Sequence, residues 1–474
     1  MAGTDGKTPF KIAIVGAGPS GLLLALYLLQ NRDQFGPWQI ELHLFERESD
    51  HDLQDRSNPD RSYTIDITGH GLKAVRRLGS KLARRFDREL IPFNGIHAYL
   101  LRRTLPYEDD GGWTGSRGDI CSALLHELRH TPHEPAELQL QWNCAVSAID
   151  AKTGELRFSA NTPDQETSAR FDLIVGADGA GSLVRRALEQ QQYLHCQKSS
   201  IPNYSRILKL DSGDAAQLFD PSLLHMFSLM PWAVGGAILD KTRQCSSIAA
   251  TTPKQFFVQM GYQNDRSLNG TDEARQMLAS IKFDLPGNHN GAGPKKATLL
   301  DFVSDSELES FAKRDVYHTG KTVICSQIYG GKCVLLGDAA TAFPPVGQGV
   351  NAGLEAAVVL GDEILRALAS NASPDAIDCD GLVGELAAAY NRAWLPQARA
   401  CARIANTVKY GSKLNMLKML TQGIITQLIR VELTSAQLAK SSTLSYQSAD
   451  EKARFRNRAC IAVVAVAGVA LLLL

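Results

Sequence analysis

The stretch Lys11-Ile-Ala-Ile-Val-Gly-Ala-Gly-Pro-Ser-Gly21 decides the fold of this 474-residue chain. Its first half has the apolar, β-branched composition of a buried parallel strand, and a leucine-rich helix is predicted over residues 20–30. The first glycine of the turn allows a tight bend, the second lets backbone approach a pyrophosphate, and the third lets helix pack on strand. Phosphate oxygens would lie at the free N–H groups of the helix start. The candidate cofactor-binding residues here are Gly16, Gly18, Ser20 and Gly21.

A second strand, predicted over residues 40–45, completes a βαβ unit and ends at Glu46. A carboxylate at this position can accept hydrogen bonds from the ribose hydroxyls of an adenosine. Glu46 and the adjacent Arg47 are therefore further cofactor-binding candidates. The glycine pattern alone is a weak signal, and a glycine-rich structural turn is the alternative. Its position between a strand and a helix favours a dinucleotide site.

The composition narrows the function classes. Acidic and basic residues balance at 50 each, so the chain carries no overall attraction for nucleic acid, and no nucleic-acid partner is predicted. The nine cysteines are scattered without a C-x-x-C pair and are predicted to be reduced thiols. The eleven histidines show no metal-ligand spacing, so no metal is predicted. At this length we expect two or three domains.

Two further glycine-centred sites follow buried strand patterns. One is Asp172-Leu-Ile-Val-Gly-Ala-Asp-Gly-Ala-Gly-Ser182, and the other runs from Gly337 to Asn351. Because the carboxyl ends of parallel strands meet at one edge of a sheet, all three sites could face one ligand. Either motif alone could be a loop and a capped helix. The candidate residues are Asp178, Gly179, Asp338, Pro345, Gly347, Gly349, Val350 and Asn351.

In this order, the three sites resemble those of the para-hydroxybenzoate hydroxylase superfamily of FAD monooxygenases. The resemblance implies that Asp178 lies near the pyrophosphate and that Asp338 meets the ribityl chain. It also implies that the backbone of residues 347–351 approaches the flavin pyrimidine, where helix N–H groups stabilise negative charge. Arg117 resembles the family's cofactor-binding arginine, although a surface arginine is the alternative. Arg61 is a further candidate.

The resemblance implies an α/β fold. We expect a Rossmann-type three-layer FAD-binding domain, an inserted β-sheet-rich substrate domain and a C-terminal helical region. The predicted ranges are 8–190 for the first part of the FAD domain, with a substrate-domain excursion near 75–110, then 191–315 for the substrate domain, 316–365 for the last part of the FAD domain, 380–450 for the helical region and 459–474 for a C-terminal tail.

Within the superfamily the chain is most similar to kynurenine 3-monooxygenases, through Arg61-Ser62 and the glycine motifs. Two positions depart from that pattern. His70 stands where that family carries an arginine for the substrate carboxylate, and Ala356 follows Glu355 where an acidic pair is expected. A neutral histidine is a poor replacement for a permanent carboxylate clamp. These departures predict a relative with a different substrate.

The resemblance implies that NAD(P)H reduces FAD and that O₂ then gives a flavin hydroperoxide. This would hydroxylate or epoxidise a small aromatic or terpenoid-like substrate. NAD(P)H should bind transiently, because no second strand-linked glycine motif is present. No catalytic base is predicted. The substrate pocket is expected beside the loop of residues 343–345, with candidate contacts Phe227, Met230, Trp232, His70, His97 and His225.

Three alternatives to a monooxygenase remain open. The first is a dehydrogenase or reductase of the same fold that reacts poorly with oxygen. The second is a flavin-dependent halogenase, although the tryptophan motif of that family is not seen. The third is a membrane-tethered flavin-binding protein without catalysis.

Residues 459–474 form an uninterrupted apolar run. As a helix the run would extend about 24 Å, short of a hydrocarbon core of about 30 Å. Basic residues precede it, as expected on the cytoplasmic side of an inserted helix. The pattern predicts a tail anchor that holds the protein on a membrane facing the cytosol. A helix packed on the protein body, in a cytoplasmic protein, is the alternative.

Overall fold

The structure is a computed structural model that describes most of the chain. The described residues are 8–53, 64–100, 103–134, 137–160, 166–201, 204–211, 220, 222–228, 243–252, 255–262, 270–285, 295–370, 379–407, 435–440, 443–455 and 458.

A six-stranded, mostly parallel sheet carries the three glycine sites. Its strands are β1 (Thr8–Val15), β2 (Trp38–Phe45), β6 (Leu138–Gln141), β10 (Leu173–Gly176), β20 (Tyr329–Gly330) and β21 (Cys333–Leu335), numbered in chain order. They lie in the order β20-β21-β10-β1-β2-β6, and only β20 pairs in the antiparallel sense. Strand β10 is buried throughout, as expected where helices cover both faces of a sheet. The strands predicted at the first and second glycine sites are confirmed.

Helices and short 3₁₀ turns cover this sheet and connect the other elements. The first helix, α1 (Pro19–Gln30), has almost no polar face, which suits its buried position between the sheet and two other helices, α4 (Arg117–His130) and α8 (Gly349–Ala369). The helices are α1 (Pro19–Gln30), α2 (Gly69–Arg77), α3 (Ser80–Glu89), α4 (Arg117–His130), α5 (Leu183–Gln190), α6 (Thr271–Ser280), α7 (Asp305–Lys313), α8 (Gly349–Ala369), α9 (Cys379–Thr407) and α10 (Ser435–Lys440). The 3₁₀ helices are Arg32–Gln34, His51–Leu53, Leu299–Phe302 and Gly337–Ala339.

The second large sheet of the structure has eight strands. Its strands are β3 (Thr64–Ile67), β4 (Ile91–Leu100), β5 (Arg103–Ser116), β12 (Tyr204–Leu210), β13 (Leu223–Ser228), β14 (Arg243–Thr252), β15 (Gln255–Tyr262) and β18 (Tyr317–His318). The order is β18-β12-β15-β14-β13-β4-β5-β3. Strands β13 and β4 pair in the parallel sense, and the other described pairs of this sheet are antiparallel. The sheet therefore combines chain segments from both sides of α4 and α5. Helices α6 and α7 pack with β12 in a separate hydrophobic cluster.

Three smaller sheets complete the strand inventory. They comprise β7 (Cys144–Asp150), β8 (Glu155–Ala160) and β9 (Glu166–Arg170); β11 (Cys196–Ser200), β19 (Lys321–Cys325) and β22 (Thr341–Ala342); and β16 (Lys282–Leu285) with β17 (Lys295–Thr298).

The C-terminal part of the described chain is helical, in α9, α10 and residues 446–455. The predicted α/β fold, with its sheet-rich second part and helical C-terminal region, is confirmed. Among the described residues, no helix has both the length and the apolar character needed to cross a membrane. The apolar run of residues 459–474 lies outside the described residues, so the predicted tail stays a prediction.

Candidate functional site

The first glycine turn joins β1 to α1, and at two of its positions there is no space for a side chain. Gly16 has a φ of +107°, and a Cβ atom there would lie 2.6 Å from the carbonyl oxygen of Ala177. A Cβ atom at Gly21 would lie 2.2 Å from the Gly16 oxygen. Gly18 precedes the helix and has no side chain to cap it, so the first N–H groups of α1 can receive a phosphate.

Glu46 holds this turn in place from the end of β2. One carboxylate oxygen accepts from the backbone N–H of Ala17 at 2.9 Å, and the other accepts from the N–H of Glu48 at 3.1 Å. The side chain is almost fully buried. Its contact with a ribose stays a prediction. Arg47 is exposed, with its Nε 3.6 Å from a Glu48 oxygen.

His51 lies beneath the same turn and was not predicted from the sequence. Its Nε2 is 2.7 Å from the carbonyl oxygen of Ala17. Burial alone would lower the pKa of His51, but interactions with the Cys121 thiol, the Ala17 carbonyl and Glu46 raise it to about 9. The Nε2–H of the His51 imidazole can therefore donate to the carbonyl of the turn. No local pattern could reveal this contact, because His51 is 34 residues from Ala17 in sequence.

Arg117 faces the first turn from the start of α4. Ser116 and Asp119 form a capping box: each side chain accepts from the other's backbone N–H at 3.0 Å. This cap fixes the first turn of α4, on which Arg117 is exposed. An Arg117 Nη2 atom lies 3.2 Å from the position that a Cβ atom on Gly18 would take. The predicted arginine and the predicted pyrophosphate turn are therefore neighbours.

The second motif follows β10 and adjoins the first. Asp178 accepts from the backbone N–H of Leu183 at 2.6 Å and of Val184 at 3.3 Å, so its carboxylate stabilises the start of α5. Gly179 has a φ of +74°, and a Cβ atom there would meet nothing within 4 Å. The described contacts of Asp178 are structural, and its predicted place beside a pyrophosphate stays a prediction.

Arg185, also not predicted, ties the second motif to the third. Its side chain is 4% exposed and donates to the carbonyl oxygens of Asp338 at 3.3 Å, Ala339 at 2.8 Å and Ala180. A guanidinium can satisfy several carbonyls at once because its donors form a fixed fork. No local sequence signal indicates these bonds, because Asp338 and Ala339 lie 153 and 154 positions from Arg185.

Asp338 lies in a cleft between the first and third motifs. The residue is solvent-exposed, yet the surrounding protein desolvates it and raises the pKa of its carboxyl, with Arg117 and Arg185 acting in the opposite direction. Asp338 is therefore open to solvent and at the same time surrounded by many protein atoms. An added Cβ on Gly349 would lie 3.8 Å from a carboxylate oxygen of Asp338, so the start of α8 adjoins this carboxylate.

Close glycine contacts also join the third motif to the first. Cβ atoms on Gly337 and Gly353 would lie 2.9 Å and 2.3 Å from the Ser20 hydroxyl oxygen. The cleft thus has a cationic end at Arg117, a carboxylate along its length and a helix start beyond it. These residues fit a flavin dinucleotide: the cation suits a pyrophosphate, the carboxylate suits a chain of hydroxyls, and the helix N–H groups suit an electron-rich ring edge.

Asn351 connects the third motif to the eight-stranded sheet. Its Oδ1 accepts from the Thr68 N–H at 3.0 Å, and its Nδ2 donates to the carbonyls of Asp66 and Gly347, both at 2.8 Å. The side chain is fully buried. Asn351 therefore holds the loop before α8 against the end of β3.

His70 and Tyr446 form a buried cluster beside the start of α8. His70 Nδ1 lies 2.6 Å from a Glu355 oxygen, and its ring stacks on Tyr446 with centroids 3.8 Å apart. Burial alone would raise the pKa of Glu355, but His70 and Lys73 together lower it. Tyr446 donates to Gln348 Oε1 at 3.0 Å. Glu355 therefore joins His70 and the Lys73 amine, which lies 3.2 Å from its other oxygen.

The remaining candidates have varied outcomes. Pro345 and Gly347 are exposed, and Val350 is half-buried. His225 is buried, and its Nε2 is 2.9 Å from the carbonyl oxygen of Asp220. His97 and Phe227 lie on paired strands, but their side chains are outside the description. Arg61, Met230 and Trp232 lie outside the described residues.

No protein-family model matches the chain. Kynurenine 3-monooxygenase of Cryptococcus neoformans var. neoformans serotype D is 26% identical over 384 residues, or 75% of this chain and 69% of that protein. Kynurenine 3-monooxygenase 3 of Aspergillus niger is 27% identical over 389 residues, or 74% and 68%. The chain is a relative of these FAD-dependent monooxygenases. The predicted resemblance and the predicted FAD cofactor are confirmed.

Solved structures share the FAD-dependent monooxygenase fold. 2-Methyl-3-hydroxypyridine-5-carboxylic acid oxygenase has a TM-score of 0.61 and 17% identity, with 92% of this chain and 96% of that chain covered. PqsL of P. aeruginosa, solved with 2-aminobenzoylacetate, has a TM-score of 0.57 and 15% identity, with 86% and 98% covered. At such identities the likeness shows the fold alone.

Proposed function

We propose that this FAD-dependent monooxygenase uses NAD(P)H and O₂ to hydroxylate or epoxidise a small aromatic or terpenoid-like substrate. The observation that carries the proposal is the close approach of the three glycine sites, with Arg117 beside Gly18 and Asp338 beside the start of α8. When bound, FAD supplies the ability to accept a hydride from the nicotinamide and to activate oxygen.

The protein's own residues bind and orient the cofactor. Arg117 and the N–H groups of α1 hold the pyrophosphate, and Asp338 accepts hydrogen bonds from hydroxyls along the cleft. The start of α8 directs N–H groups at the ring, where its dipole favours negative charge. Asn351 keeps that helix start aligned with the eight-stranded sheet. The substrate enters between this sheet and the loop of residues 343–345.

The test begins with the purified protein and its absorption spectrum. We expect bound FAD, oxidation of NADPH or NADH that a substrate accelerates, matching oxygen consumption, and a product heavier by one oxygen atom. Arg117→Met should lose FAD, while Arg170→Met, at an exposed position on β9, should retain it. FAD reduction without coupled oxygen consumption would favour a reductase instead. Bound FAD that no nicotinamide reduces would favour a non-catalytic protein.

The apolar run of residues 459–474 supports a separate proposal, a C-terminal membrane anchor. Its apolar composition and basic flank support this interpretation, and local thinning of the bilayer would accommodate a helix of about 24 Å. We expect the intact protein to pellet with membranes and a variant without these residues to stay in the supernatant. Equal distribution of both forms would contradict the anchor.

A further inference from the structure

Two paired strands, β11 and β19, connect the six-stranded sheet with the eight-stranded sheet. After β10 the chain runs through α5 and β11 and enters the eight-stranded sheet at β12. It leaves that sheet at β18 and returns through β19 to β20 and β21 of the six-stranded sheet. The outgoing β11 and the returning β19 pair in the antiparallel sense, and they are called the connecting ribbon below. On its other edge β19 pairs with β22, which follows the turn of Asp338.

Two cysteines lie directly opposite each other in the connecting ribbon. Cys196 of β11 and Cys325 of β19 are register partners, and their sulfur atoms are 3.3 Å apart. In the next pair, the backbone N–H of Ser326 donates to the carbonyl of His195 at 2.9 Å. Because hydrogen-bonded and non-hydrogen-bonded pairs alternate, the cysteines form a non-hydrogen-bonded pair, in which Cα atoms are about 4.5 Å apart. A disulfide usually joins Cα atoms about 4.4–6.8 Å apart, so the backbone already suits one.

The two thiols differ in their access to solvent. Both are free, but Cys196 is half-buried whereas Cys325 is fully buried. Burial raises the pKa of both thiols, so little thiolate is present at neutral pH and the pair reacts slowly with mild oxidants. An oxidant from solvent therefore reaches Cys196 first, and Cys325 is in place to attack the oxidised sulfur.

We propose that Cys196 and Cys325 are a redox pair that hydrogen peroxide converts into a disulfide, which fastens the connecting ribbon reversibly. Cys196 sulfur attacks one peroxide oxygen, the O–O bond breaks, and a sulfenic acid and one water form. Cys325 sulfur then displaces the hydroxyl group from Cys196, which leaves as a second water with the Cys325 proton. The two thiols together lose two electrons and two protons, and one peroxide becomes two waters. The inference goes beyond the proposed function and does not depend on it.

The bond would close residues 196–325 into one covalent loop. This segment contains five strands of the eight-stranded sheet, β12, β13, β14, β15 and β18, together with α6 and α7. A disulfide restricts the unfolded chain, and its effect grows with the length of the loop that it closes. We therefore expect the oxidised protein to unfold at a urea concentration higher by about 1 M than the reduced protein.

The experiment maps the bond in the wild-type protein as purified. The protein is treated with hydrogen peroxide at about pH 8.5, where more thiolate is present, then blocked with iodoacetamide and digested with trypsin without reductant. Trypsin releases Cys196 in peptide 187–198 and Cys325 in peptide 322–332, and neither peptide contains another cysteine. We expect a species with the summed mass of these two peptides less two hydrogen atoms. Dithiothreitol should separate it into the two peptides and reverse the shift in the urea midpoint.

Cys196→Ser should lose both the linked peptide and the shift. Cys379→Ser is the matched control, because it removes the other half-buried cysteine among the described residues, and it should retain both. The inference is wrong if peroxide-treated wild type gives no linked peptide, or if Cys196 is linked to a different cysteine. A linked peptide with an unchanged or lower urea midpoint would contradict the fastening of the ribbon. If Cys196→Ser does not fold, the wild type before and after dithiothreitol decides.

Discussion

Replacing Asn351 with alanine should destabilise the protein strongly, although no catalytic role is assigned to this residue. The substitution removes two buried hydrogen bonds and one partly buried hydrogen bond, each with a net value of about 1 kcal/mol. It also leaves the buried N–H of Thr68 without an acceptor, which costs about 1–2 kcal/mol more. We therefore expect the free energy of unfolding to fall by about 4 kcal/mol, a large part of a typical total of about 5–15 kcal/mol.

The measurement is urea unfolding followed by tryptophan fluorescence, combined with an FAD titration. FAD should bind more weakly to Asn351→Ala, because the Gly347 carbonyl is no longer held. Asn406→Ala is the matched control: this half-buried asparagine on α9 donates to a backbone carbonyl at 2.9 Å and accepts from the Thr322 hydroxyl at 3.2 Å, and its loss should cost only about 2 kcal/mol. A loss below about 1 kcal/mol in Asn351→Ala, or unchanged FAD affinity, would refute the proposed clamp.

Three further substitutions test other contacts. Gly21→Ala should abolish FAD binding, because the added methyl group would collide with the backbone. Gly181→Ala should leave FAD binding unchanged, because a Cβ atom there would meet no atom within 4 Å. Absorption spectra of the purified variants test both expectations. Arg185→Ala should lower the free energy of unfolding by about 3 kcal/mol by leaving buried carbonyls unpaired, and equal urea midpoints for variant and wild type would argue against this. The pKa of Glu355 is lowered from 4.5 in the folded protein, so its contribution is present above pH 4.5 and is lost on acidification below it. Thermal melts from pH 7 to pH 3 should therefore show a smaller acid-induced loss for Glu355→Gln, and parallel pH profiles would contradict the pairing with His70.

The parallel sheet and its glycine turns could be predicted because their signals are local. A buried strand next to a glycine-rich turn is written in a few adjacent residues, as at Lys11 to Gly21. The strand of Glu46 and the helix start of Arg117 followed from the same kind of pattern. In these elements, residues that are close in the sequence are also close in the structure, so the pattern is sufficient to predict them.

The contacts that join the motifs could not be predicted in the same way. Asn351 bonds to Thr68 across 283 positions, and Tyr446 bonds to Gln348 across 98. Nothing in the neighbouring residues specifies such partners, because they depend on how the two sheets and the C-terminal helices meet. His51 and Arg185 escaped notice for the same reason: each is a buried polar side chain whose role depends on distant backbone carbonyls.

The packing of Tyr446 on His70 and on Gln348 has a consequence for biosynthesis. A ribosome finishes β1, α1 and α8 well before it reaches residues 435–455, so the cofactor cleft can assemble while the wall near His70 is still absent. A nascent chain could thus bind its coenzyme before the wall near His70 is in place. Proteolytic loss of residues 435–455 from a mature molecule would leave a flavoprotein whose pocket is open to water. Such a fragment would oxidise NAD(P)H without forming product.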